Sequence, residues 1–290
     1  MIHVLETVAA LLLLALCAIV ALVRYALRPR RARLEAASTG LPVETVSIPS
    51  RSGATLAGWF LAGSGEGGVL LLHGVKSNRL THVERMRMLR EAGYSSLAID
   101  FQAHGQSTGS CITLGQKEAL DARSALEWMR ARLPGHRLAV LGVSMGGVAA
   151  LVAEPPLKAD ALIVESAFRD LATSVSNRLA NALGEASRAA TPLALLALRA
   201  AAGVDPRRLR PIDAIGQIHA PIFILSGADD RNIPNEEARA LFARANPPKI
   251  YWEEPGAGHI DLAYVGGAAY RKRLLDFLES ALRAEKTSSV

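Results

Sequence analysis

The chain has 290 residues, half of them apolar, with 33 Lys and Arg against 27 Asp and Glu for a formal net charge of +6. That length and composition can bury one sizeable core, and aromatics at only 5% make it an aliphatic one. Two cysteines, Cys17 and Cys111, lie in unlike surroundings; they suggest no disulfide framework and suit a reducing compartment. The charge is no nucleic-acid footprint either. Arg24, Arg28, Arg30, Arg31 and Arg33, offset by Glu6 and Glu35, supply +3 of it, and residues 168–210 set seven arginines against Asp170, Glu185 and Asp205. What is left is slightly acidic.

Residues 8–23, VAALLLLALCAIVALV, are uninterrupted apolar sequence. With Arg24 snorkelling, residues 25–27 extend the run toward the roughly 20 needed to span a bilayer. The preceding side holds Glu6 and no Lys or Arg, unlike a secretory signal, and the basic residues follow the run. The expectation is an uncleaved transmembrane anchor with a basic juxtamembrane segment, residues 1–40. The bilayer is then a partner, and the positive-inside rule puts residues 41–290 on the cytoplasmic side. A cleaved leader and a buried core helix are the alternatives.

From Pro42 the chain alternates regularly. ETVSIPS and ATLAGWFLA, parted by RSG, predict a β-hairpin because apolar positions alternate and a Gly marks the turn. VLLLHG, SSLAID, LAVLGVS, ALIVES, PIFILSG and KIYWEEP are short apolar runs suited to strands covered on both faces of a parallel sheet. Helical stretches over residues 81–92, 116–132 and 268–282 lie between and after them. This pattern predicts an α/β fold, a mostly parallel doubly wound sheet whose ligands bind beyond the carboxyl ends of the strands. Residues 168–210 interrupt the alternation with Ala- and Leu-rich sequence, read as a small helical cap.

GSGEGG satisfies a dinucleotide-binding pattern but precedes a strand instead of following one, so it is a connector. No H-E-x-x-H occurs, and two cysteines cannot build the usual zinc site; no cofactor and no metal is implied. Chemistry gathers at the strand ends. His73-Gly74 follows one strand, Gly142-Val143-Ser144-Met145-Gly146 the next, then Asp229-Asp230, then His259. Ser, Asp and His in that order are what a nucleophile elbow needs. Gly142 and Gly146 leave room for Ser144 on a crowded corner. A serine hydroxyl needs a base, His259, itself oriented by a carboxylate, and the developing oxyanion needs donors, for which the N–H groups of Val75 and Met145 are placed.

LLLHGVKSNR, IDFQAHGQSTG, GVSMGG, PIDAIGQIHAPIFILSGADDRNIP and GAGH together resemble the α/β-hydrolase superfamily, and more narrowly its membrane-anchored branch near the serine aminopeptidases, carboxylesterases and monoacylglycerol lipases. The resemblance runs from about Val43 to the C-terminal helix. In that family the acid lies four residues before the proline of a D-x-x-V-P stretch; with Pro234 here, this selects Asp230 over Asp229. Glu165, also at a strand end, is the other candidate acid. His73, Asp100 and His104 read as loop organisers, and Cys111 as packing.

The resulting expectation is a serine hydrolase that cleaves carboxylic esters through a covalent acyl-enzyme, with an acyl-chain or lipid-like small molecule near the membrane as substrate. A peptidase or amidase using the same triad is one alternative; a non-catalytic binding protein on the same fold is another. Oligomeric state is not legible.

Overall fold

The computed structural model describes residues 2–65, 67–259 and 262–282. Helix α1 (Ile2–Ala26) and the two-residue strand β1 (Arg30–Arg31) lead into the hairpin β2 (Glu44–Pro49) and β3 (Thr55–Leu61). There follow β4 (Gly67–Leu72), α2 (Val83–Glu91), β5 (Ser95–Ile99), the short β6 (His104–Gly105), α3 (Glu118–Arg132), β7 (Arg137–Val143), α4 (Met145–Leu151) and β8 (Ala161–Glu165). The chain then runs through α5 (Leu171–Leu183), α6 (Thr191–Ala202) and α7 (Pro211–Ala214) before β9 (Ile222–Gly227), α8 (Asn235–Arg244), β10 (Lys249–Glu254) and α9 (Leu262–Leu282).

Eight strands form one sheet in the order β10-β9-β8-β7-β4-β5-β3-β2. Strand β3 runs antiparallel to both β2 and β5, and every other neighbouring pair is parallel. The hairpin turns where Gly53 takes a left-handed φ of 86°. Strands β4, β5, β8 and β9 are buried at every position, as a sheet covered on both faces requires. Their side chains alternate between two cores. Leu70 and Leu72 of β4 face α3, α4 and α8; Val69 and Leu71 face Met86 and Leu89 of α2 and Tyr270, Leu274 and Phe277 of α9. Every parallel strand therefore ends at the same edge, and the loops there converge.

Between β8 and β9 the chain leaves the sheet. Asp170 caps α5 by accepting the Thr173 N–H at 2.8 Å. Pro192 sits in the first turn of α6, and Gly203 in the left-handed region ends it. These two helices lie over the carboxyl edge of the sheet, and α6 packs against α1.

The expectation of a membrane span is not met. Residues 8–23 fall within α1, and among the described residues no helix is long and apolar enough to cross a membrane. The uninterrupted run is 16 residues and stops at the exposed Arg24, short of the roughly 20 a bilayer demands. Beyond it the chain belongs to the sheet domain. Leu27 is 6% exposed in the core, with Val23 packed against it, and the Leu27 carbonyl accepts the Ile112 N–H at 2.8 Å. Arg30 and Arg31 are not a juxtamembrane patch. They pair in parallel with His104 and Gly105, and the Arg31 guanidinium donates to the Gly109 carbonyl at 2.7 Å. The bilayer partner and the cytoplasmic placement inferred from the charge bias lose their basis with the span.

Because Leu27 is a core residue, Leu27→Ala is expected to destabilise the fold by about 2–3 kcal/mol in equilibrium denaturation. A change within a few tenths of a kcal/mol would mean that the segment before β2 is not integral to it.

Candidate active site

The site begins with a steric constraint. Strand β7 hands over to α4 at Ser144, whose backbone is forced to φ 50°, ψ −113°, a region that a non-glycine residue enters only when its surroundings dictate it. A Cβ on Gly142 would lie 2.5 Å from the Gly146 carbonyl, and one on Gly146 would lie 2.3 Å from the Leu72 carbonyl oxygen. Only hydrogen fits at either place. The first turn of α4 thus rests directly on β4 and β7, and the Ser144 N–H is held by the Glu165 carbonyl of β8 at 2.7 Å.

Three side chains from three strand ends meet at this corner. Ser144 Oγ lies 3.3 Å from His259 Nε2, and His259 Nδ1 lies 2.7 Å from Asp230 Oδ2. Asp230 Oδ1 accepts the N–H groups of Asn232 and Ile233, each at 2.9 Å, so the carboxylate is pinned and aimed at the imidazole. With Nδ1–H donated to Asp230, Nε2 is the lone-pair face turned to the serine hydroxyl. Asp229 is exposed and takes no part. Glu165 is also elsewhere: its carboxylate accepts from Arg85 at 2.7 Å and from the Tyr270 hydroxyl, in a buried cluster beneath the sheet edge.

The loop after β4 carries Val75, which with Met145 lines a cavity reaching Ser144. The N–H groups of both residues donate no hydrogen bond among the described residues. Two histidines brace this loop. His73 Nε2 accepts the Phe101 N–H at 3.0 Å and its Nδ1 donates to the Gly74 carbonyl at 2.7 Å. His104 Nε2 accepts the Lys76 N–H at 3.1 Å, while its Nδ1 donates to the Gln102 carbonyl at 2.9 Å. Each ring is therefore fixed as the neutral Nδ1–H tautomer. Burial, with His104 and then Arg79 nearby, pushes His73 down to about 3, and burial lowers His104 as well. Asp100 anchors the same region by accepting the backbone N–H of Arg79 at 2.8 Å, the Arg79 guanidinium, and the Gln106 N–H at 2.9 Å. The Arg79 guanidinium in turn stacks 4.4 Å over the Trp59 ring. Sequence alone does not disclose Arg79 or Arg85, because their partners lie far along the chain.

Two cavities meet at Ser144. One, of about 400 Å³, is walled by apolar side chains of the cap, among them Phe168, Leu171, Val175 and Leu198, and by Val23, Ala26 and Leu27 at the end of α1. The other, of about 290 Å³, is bordered by Ser77, Thr81, Arg85, Ser166, Arg178 and His259. The arrangement can deprotonate a serine, hold an oxyanion on two backbone amides, and receive two parts of a substrate in two cavities that meet at the reacting atom.

A model of the alpha/beta hydrolase family matches residues 69–269. An uncharacterized protein of Mycobacterium tuberculosis is 29% identical over 86% of this chain and 84% of its own. The alpha/beta hydrolase domain-containing protein WAV2 of Arabidopsis thaliana is 28% identical over 84% and 80%. Among solved structures, an esterase of Pyrococcus furiosus superposes with a TM-score of 0.72 at 24% identity, covering 88% of this chain and 99% of that one. The fold, the site at the carboxyl edge of the sheet and the family match agree: the chain belongs to the alpha/beta hydrolase family. Nothing in these likenesses places it in a membrane-anchored branch.

The depressed His73 has a stability consequence. Unfolded, the ring takes a proton near 6.5; folded, not until about 3, so its contribution is present above 6.5 and is lost as the pH falls toward 3. The stability advantage of wild type over His73→Gln is expected to shrink by up to about 3 kcal/mol between pH 7 and pH 4. Denaturation at the two pH values checks this; a constant gap would mean that the ring titrates alike in both states.

Proposed function

We propose that this protein is a serine hydrolase of carboxylic esters, with Ser144 as nucleophile, His259 as general base and acid, and Asp230 as the group that orients it. The observation that carries the reading is the relay of 3.3 Å from Ser144 to His259 and 2.7 Å from His259 to Asp230, set where two cavities join. The Ser144 hydroxyl attacks the ester carbonyl as its proton passes to His259 Nε2, and the carbonyl oxygen becomes an oxyanion facing the Val75 and Met145 N–H groups. Asp230 stabilises the imidazolium without taking its proton. Collapse breaks the bond to the alkoxy oxygen, which leaves as the alcohol with the proton from His259. Water, deprotonated by the same ring, then releases the acid and restores Ser144. The acyl chain occupies the 400 Å³ cavity, whose walls exchange water-exposed methylenes for apolar contact.

With p-nitrophenyl esters of increasing length, kcat/KM is expected to rise by about three- to four-fold per methylene until the cavity is full. Val175→Trp, which fills it, shifts the optimum to shorter chains. Ser144→Ala is expected to lower kcat by at least about 10³-fold. A Ser144→Ala protein that keeps wild-type turnover would overturn the assignment, and a folded wild type inert to every ester would bring the binding-protein reading forward.

A further inference from the structure

Beside Ser144 the smaller cavity is bordered by a solvent-exposed cation that no group among the described residues binds. Arg178, on the cap helix α5, borders both cavities at the point where they join. It makes no ion pair or side-chain hydrogen bond among the described residues. The carboxylates that attract it, Asp230 and Glu237, direct their acceptor oxygens to other donors. Asp230 takes His259 and two backbone N–H groups, and Glu237 takes the Arg169 N–H at 3.0 Å and the Asn177 amide at 2.7 Å. Glu237 itself is pushed up to about 7, first by burial and then by the neighbouring Asp170 and Asp230, so it offsets only part of the arginine's charge at neutral pH.

A second group in the same cavity also lacks a partner. Ser166 is 3% exposed, is held at a left-handed φ of 49°, and its hydroxyl has no hydrogen-bond partner among the described residues. A buried hydroxyl without a partner is costly unless a ligand satisfies it. A guanidinium with open donors that lines the same cavity as such a hydroxyl can receive an oxyanion, since the planar fork matches phosphate and carboxylate oxygens. Arg85, the other guanidinium bordering the cavity, is committed to Glu165 and Tyr270.

We infer that the preferred ester carries a negative charge on its alcohol portion, a phosphate or a carboxylate, bound by Arg178 and Ser166 in the smaller cavity while the acyl chain lies in the larger one. This rests on the hydrolase reading above and adds the leaving group to it. In the acylation step the ester C–O bond breaks, the alkoxide takes the proton held on His259, and the anionic alcohol departs with its own charge unchanged. Arg178 is then a specificity-determining residue. It meets the part of the substrate that differs between competing esters, and it does not move protons.

The test uses the full chain and three esters of one acyl group: 1-octanoylglycerol, 1-octanoylglycerol 3-phosphate and O-octanoyl glycolate. Wild type is expected to favour at least one anionic ester in kcat/KM, and whichever of the two is faster identifies phosphate or carboxylate as the recognised group. Arg178→Gln is expected to lower kcat/KM for that ester about ten- to hundred-fold more than for the neutral one, chiefly through KM. Arg178→Lys keeps the charge without the fork and should fall between. Equal turnover of all three esters by wild type overturns the inference and leaves the hydrolase reading intact, as does an equal loss on all three in Arg178→Gln. Failure of wild type to cleave any of the three, or to react with a fluorophosphonate, overturns the hydrolase reading and this inference together.

Discussion

The close approach of α4 to the sheet is the constraint on which the site depends. With the Cβ of residue 146 excluded by the Leu72 carbonyl and that of residue 142 by the backbone of α4, the turn between them has no room to relax. Ser144 therefore takes a backbone conformation that costs of order 1–3 kcal/mol. That strain is sustained by surroundings that are themselves buried: β4 and β8 lie on either side of β7, and the Glu165 carbonyl holds the Ser144 N–H. The return is a serine hydroxyl at the edge of the sheet, directed toward groups that other strand ends deliver.

Around this corner the fold replaces flexible loops with buried polar networks. His73 and His104 tie the loop after β4 to the loop after β5, and the Arg79–Asp100 pair locks both from below. Glu165, Arg85 and Tyr270 join β8 to α2 and α9 in a second cluster. Neutral imidazoles suit the first network, because each ring accepts a backbone N–H through Nε2 and a proton there would abolish the bond. The buried groups therefore serve to position Val75, Met145 and Ser144 relative to one another. His259 keeps some access to solvent, with a side chain 21% exposed, as the proposed role of receiving and returning protons requires.

Much of this was legible in the sequence because it follows from local necessity. Glycines flanking Ser144, apolar runs between helical stretches, and Asp and His at later strand ends are requirements of a turn or a buried strand, and each is visible within a few residues. The choice of Asp230 over Asp229 needed the resemblance, since both follow β9; the structure separates them by burial. Other features depend on what covers a residue, which sequence patterning does not record. The apolar run of residues 8–23 resembled a span because hydropathy does not reveal that Val23 and Leu27, one turn apart, face a protein core. Arg178 is one of seven arginines in residues 168–210, and only its place beside Ser144 distinguishes it. The partners of Arg79 and Arg85 lie 21 and 80 residues away, beyond any local pattern.

If Ser144 is the nucleophile, it becomes covalently acylated during turnover. Rapid mixing with p-nitrophenyl octanoate, acid quenching within the first turnover and peptide mass spectrometry would read this directly. One octanoyl group is expected on the peptide that contains Ser144 in wild type and none in Ser144→Ala. An acyl group on another residue, or p-nitrophenol released in a first turnover that leaves Ser144 unmodified, would contradict it.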